Sequence, residues 1–93
     1  MVEIHIARAD GGSYDVTLDE GGRRTRHRVT AKPEVVARYG GGVAAEQLIE
    51  ESFRFLLERE PKEAILGTFD LTVIERYFPD YPRAIALRLA SSK

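Results

Sequence analysis

The period of the hydrophobic pattern changes near residue 40. Before it, apolar residues fall at every second position: Val2, Ile4 and Ile6, then Tyr14, Val16 and Leu18. After it, they recur at helical spacing through Leu48, Ile49, Phe53, Leu56 and Leu57. A period of two marks a strand with one buried face, and a period of about 3.6 marks a helix. Strands followed by helices, rather than alternating with them, specify an α+β domain. A chain of 93 residues suits one such domain. The expected organisation is a single domain over 1–93, with a β-meander at 1–31, a main helix at 43–60 and a helical tail at 61–90.

The turns set the register of the meander. Gly21-Gly22 between strands at 13–20 and 23–31 suits a two-residue primed turn, whose central residues both need positive φ. That turn puts Glu20 opposite Arg23, Asp19 opposite Arg24, and Asp15 opposite Arg28. For the first hairpin, a two-residue Gly11-Gly12 loop would set Ile6 against Thr17 and mix the faces. A three-residue loop, Asp10-Gly11-Gly12, sets Ile6 against Val16 and Ile4 against Leu18. A slip of one residue inverts a whole face, so the three-residue loop is expected. The result is a three-stranded antiparallel meander, order 1-2-3, with Ile4, Ile6, Tyr14, Val16 and Leu18 under the main helix.

The remainder reads as helices and breaks. Pro33 opens a short helical turn at 33–39, and Gly40-Gly41-Gly42 separates it from the main helix. The apolar arc of that helix covers more than half its circumference, whereas one packed surface needs only about 100°. The helix therefore has two neighbours. The sheet is expected to take Leu48 and Ser52, and the tail Phe53 and Leu57. In the tail, Pro61 opens a short helix to Leu66, Asp70 precedes a second at 71–78, and Asp80-Tyr81-Pro82 starts a last one to about Ala90. Residues 83–90 also alternate like a strand, but three alanines favour a helix. Ile65, Leu66, Phe69, Leu71, Ile74 and Phe78 need burial, so the tail belongs to the core. Tyr77, Tyr81 and Leu87 are left as an apolar contact surface for a second subunit or another protein.

Composition narrows the function classes. There is no cysteine, so no disulfide framework, zinc ribbon or thiol nucleophile, and a reducing compartment fits. The start, MVEIHIARAD, lacks the basic segment and apolar run of a secretory signal. No apolar run approaches the ~20 residues of a membrane span. A cytoplasmic protein with no membrane association is expected. The net charge of −1 lacks the basic excess of a nucleic-acid-binding domain.

The stretch 58–82, EREPKEAILGTFDLTVIERYFPDYP, resembles the C-terminal signature of a family of small uncharacterised bacterial proteins. The matching parts are FLLERE-P, Phe69-Asp70-Leu71, and Val73 through Pro79. The resemblance implies a bacterial source and no particular activity. Gly11-Gly12-Ser13-Tyr14-Asp15-Val16 followed by a long acidic helix is similar in layout to HicB-type antitoxins, from which the long Arg-rich strand departs. That second resemblance implies a nucleic-acid-associated regulator.

No constellation carries chemistry of its own. Arg24, Arg26 and Arg28 form one exposed row that could meet phosphates, but Asp19 and Asp15 stand opposite two of them. No aromatic shares that face to stack bases. His5 and His27 fall on opposite faces of the sheet and cannot share a ligand; His27 reads as a partly buried histidine with a hydrogen-bond partner. Gly40-Gly41-Gly42 follows a helical turn and lacks the Lys-Ser/Thr of a phosphate loop, so it reads as a joint. Glu46, Glu50, Glu51, Glu58, Glu60 and Glu63 read as a solvated face, with Glu50 and Arg54 an i,i+4 pair. The serines have no base beside them. No catalytic, cofactor or metal residue is assigned. The expected function is a non-enzymatic interaction or regulatory module that binds a protein or itself as a homo-oligomer. The alternative is an antitoxin-like regulator using the Arg row.

Overall fold

A computed structural model describes residues 2–91. Strand β1 (Glu3–Arg8) pairs antiparallel with β2 (Ser13–Glu20), which pairs antiparallel with β3 (Arg23–Thr30). Both expected registers are present: Ile4 faces Leu18 and Ile6 faces Val16 in one ladder, and Asp19 faces Arg24 and Asp15 faces Arg28 in the other. Gly21 and Gly22 take φ of 60° and 87°, the positive values that the primed turn demands. Asp19 Oδ1 accepts the Gly22 N–H at 3.1 Å and braces the turn.

The sheet has a fourth strand that the sequence pattern does not announce. β4 (Thr68–Asp70) adds parallel to β3, with Val29 opposite Phe69. The Arg28 N–H donates to Gly67 at 2.7 Å, and the Leu71 N–H donates to Thr30 at 2.9 Å. The expectations of a three-stranded sheet and of a wholly helical tail are both corrected by it. The physical reason is tertiary. Three residues are too few to show alternation, and a parallel strand needs a crossover of a dozen residues or more. Here α1 (Pro33–Gly40) and α2 (Ala45–Leu57) lie within that crossover. The sheet is therefore mixed, in the order β1-β2-β3-β4.

Helix α2 is shorter than the expected 43–60. Gly41 and Gly42 hold positive φ, and Ala44 is extended and caps the helix without a side-chain hydrogen bond. The segment 61–66 is a single 3-10 turn at Lys62–Ala64 rather than a helix. After β4, Asp70 Oδ1 accepts the Thr72 N–H at 3.0 Å and leads the chain into α3 (Val73–Tyr77). The last helix, α4 (Tyr81–Ser91), resolves the helix-or-strand ambiguity at 83–90 in favour of helix.

Helix α2 lies between the sheet on one side and α1 with α4 on the other. Its two faces are the reverse of expectation. Phe53 meets the sheet, its ring 5.5 Å from His27 and 5.9 Å from Phe69. Ser52 meets α4 instead, with its Oγ 2.7 Å from the Tyr81 hydroxyl. A serine within an apolar arc needs a polar partner when buried, and Tyr81 is the side chain that brings one.

Candidate protein-binding groove and the arginine row

The arginine row is present and paired. Arg24 Nε donates to Asp19 at 2.9 Å, and Arg28 holds Asp15 through Nε and Nη2 at 2.9 and 3.2 Å. The hydrogen bond from Arg24 keeps the Asp19 carboxyl below its ordinary value. Arg26 is exposed and, among the described residues, has no acidic partner. Two of the three cations are thus already met by carboxylates.

The histidines occupy opposite faces. His5 is exposed, 3.8 Å from Glu3. His27 is buried and joins the tail to the sheet. Its Nδ1 lies 2.7 Å from the Leu66 carbonyl, which can only accept, so Nδ1 carries the proton of that bond. Its Nε2 lies 2.8 Å from Thr25 Oγ1. Among the described residues, no cluster of three His, Asp or Glu side chains could hold a metal ion. No helix among them is long and apolar enough to cross a membrane.

Two polar contacts fix the far side of the core. Tyr39 of α1 donates to Glu75 of α3 at 2.6 Å. Burial and that hydrogen bond push its hydroxyl up to about 12, so it stays a donor rather than a base. Lys62 is buried and donates to Glu20 at 3.3 Å and Glu63 at 2.7 Å. This ties the 3-10 turn to the β2–β3 hairpin, and the hydrogen bond to Glu63 helps raise the ammonium above its ordinary value.

The expected contact surface of Tyr77, Tyr81 and Leu87 does not exist as one patch. Tyr81 is 0% exposed: Ser52 satisfies its hydroxyl, and its ring packs 5.1 Å from Tyr39 and 5.4 Å from Phe55. Tyr77 and Leu87 are exposed, at 67% and 64%, but they line different hollows. Leu87 lies with Glu51, Arg88 and Ser91. Tyr77 borders an open groove of about 430 Å³ between the end of α2, the 3-10 turn, β4 and α3. Buried Leu56, Ile65, Phe69 and Ile74 line its floor. Leu66, expected in the core, is instead 46% exposed at the rim, because its carbonyl turns inward to His27.

Among the described residues, one charged side chain lines this groove, that of Glu60. The sequence assigns Glu60 to a solvated face; the fold half-buries it beside the apolar wall. Other acids nearby are engaged: Glu58 with Arg88, Glu63 with Lys62 and Asp80 with Arg59. Among the described residues, Glu60 has no ion-pair partner. The signal for this site in the sequence is the junction of an apolar helix end with Glu60-Pro61, followed by the apolar pairs Ile65-Leu66 and Val73-Ile74. Comparison of the chain with protein-family models, with curated proteins and with solved structures finds no match.

Proposed function

We propose that this chain is a non-enzymatic interaction module that binds a segment of another protein in the groove beside Tyr77. The observation that carries the reading is the unpaired Glu60 carboxylate on the wall of an apolar groove whose rim exposes Leu66 and Tyr77. A small-molecule pocket brings several polar groups to converge on the ligand; this groove offers one carboxylate. An amphipathic helix laid in a groove uses apolar anchors at helical spacing, and a Lys or Arg beside those anchors meets Glu60. A tyrosine at the rim suits such a contact, because Tyr supplies much of the binding energy at protein interfaces.

The test is photo-crosslinking in the native cell from a reactive residue placed at Leu66. A defined protein adduct that disappears when Glu60→Lys is added supports the reading. No adduct, or one indifferent to Glu60, overturns it. An adduct to nucleic acid, formed from the sheet face at Arg26 instead, would favour the antitoxin-like regulator. The pairing of Arg24 and Arg28 with Asp19 and Asp15 weighs against that second reading.

A further inference from the structure

The two edges of the sheet differ. At one, β4 and the tail cover the C-terminal half of β3. At the other, among the described residues, β1 pairs on one side only, through six residues in continuous register. Native edges are ordinarily guarded by proline, lysine, a bulge, an inward charge or a covering element. β1 has no proline, lysine or bulge. Its one charge on the core-facing row is Arg8, which reaches Glu46 of α2 at 3.0 Å. That guards one end and leaves residues 2–6 open.

The hydrogen-bond pattern shows which groups are free. The Ala9 N–H donates to the Ser13 carbonyl at 2.9 Å, in step with the β1–β2 register. Alternation in an antiparallel ladder then turns the backbone groups of Glu3, His5 and Ala7 toward β2 and those of Ile4 and Ile6 outward.

We propose that β1 pairs antiparallel with β1 of a second copy of this chain, with the twofold axis at Ile4, making one eight-stranded sheet. A twofold normal to the sheet keeps the helices of both copies on one face. It permits only registers in which outward-bonding residues meet one another. With the axis at His5, Val2 meets Arg8 of the second copy and Glu3 meets Ala7, which gives its carboxylate no partner. With the axis at Ile6, Ile4 meets Arg8. With the axis at Ile4, Val2 meets Ile6 and Ile4 meets Ile4, all half-buried apolar residues on the core side. On the other side Glu3 meets His5, and its carboxylate accepts the imidazole N–H. Within one copy Glu3 stands opposite Asp19, which Arg24 already holds, and lies 3.8 Å from its own His5; the second copy's His5 adds an opposite-charge partner across the new strand pair.

The experiment is sedimentation of the full chain over a range of concentrations. The wild-type chain forms a dimer. His5→Glu, which sets a carboxylate against Glu3 of the second copy, weakens it by roughly tenfold, since two symmetric pairs are lost. The double exchange Glu3→His with His5→Glu restores it. Glu3 and His5 are both exposed, so circular dichroism of each variant matches wild type. A wild-type chain that stays monomeric at every concentration overturns the proposal. So does a dimer indifferent to His5→Glu, or one that the double exchange fails to restore.

Discussion

The Ser52 hydroxyl lies 2.7 Å from the Tyr81 hydroxyl and also donates to the Leu48 carbonyl at 2.7 Å, with both side chains fully buried. This buried contact, together with the pairing of Arg88 on α4 with Glu51 on α2 at 3.7 Å, sets the rotation of α2 against α4. Tyr81→Phe removes one hydrogen bond but leaves Ser52 bonded to its own helix. The expected cost is about 1 kcal/mol, or a fall in melting temperature of roughly 4–8 °C for a chain of this size. Tyr81→Ala also leaves a cavity and costs about 3–5 kcal/mol. Thermal melts of the two variants check the order.

High pH should act on the same seam. Burial raises both the Tyr39 hydroxyl, to about 12, and the Tyr81 hydroxyl, beyond that. Unfolded tyrosine titrates near about 10. The folded values are the higher ones, so their contribution is fully present below about pH 10 and is lost as pH rises through the folded values. Melting temperatures should fall above about pH 10, and the fall should be shallower in Tyr39→Phe with Tyr81→Phe. An equal fall in that double variant would assign the alkaline loss to other groups.

His27 joins the tail to the sheet, and its removal should loosen β4 first. His27→Ala leaves the Leu66 carbonyl unmet and withdraws a ring from Phe53. A buried acceptor left unsatisfied costs about 1–3 kcal/mol. His27→Phe keeps the ring but not the hydrogen bond, so it should fall between wild type and His27→Ala. Hydrogen exchange at the Arg28 and Leu71 amides, which bond across β3–β4, reads the loosening directly.

The meander was legible because its turns are chemically explicit. Gly21-Gly22 and Asp10-Gly11-Gly12 leave one register that keeps Ile4, Ile6, Val16 and Leu18 on a common face. β4 was not legible, because three residues carry no period and its partner is 40 positions away, as Arg28 is from Thr68. The width of the apolar arc on α2 announced two neighbours, yet not which neighbour took which side. Ser52 held that information: a lone hydroxyl in an apolar arc points to the buried polar partner, and Tyr81 is that partner. Sequence spacing places Tyr81 at the surface and Glu60 in solvent; tertiary packing buries the first against α2 and half-buries the second beside the groove.

Nucleic acid should bind weakly. Within the row Arg24 and Arg28 are held by carboxylates, so among the described residues Arg26 is its one unpaired cation and counterion release from this face is small. The dissociation constant at physiological salt should be no tighter than the roughly 10⁻⁴–10⁻⁶ M of non-specific contacts. Arg26→Ala should change it little. Fluorescence anisotropy with labelled RNA and DNA checks this, and sub-micromolar binding lost on Arg26→Ala would promote the nucleic-acid reading.

The central claim is that the groove beside Tyr77 holds a protein segment. Its most direct test uses the full chain as bait in native extract treated with nuclease, at low and at high salt. The baits are wild type, Tyr77→Asp and Glu60→Lys, all with matching melting temperatures. The account predicts one protein retained by wild type at both salts, because apolar contacts resist screening. Retention should fall by more than about tenfold with Tyr77→Asp and clearly with Glu60→Lys. A retained protein indifferent to both substitutions, or retention that vanishes with nuclease or high salt, would contradict it.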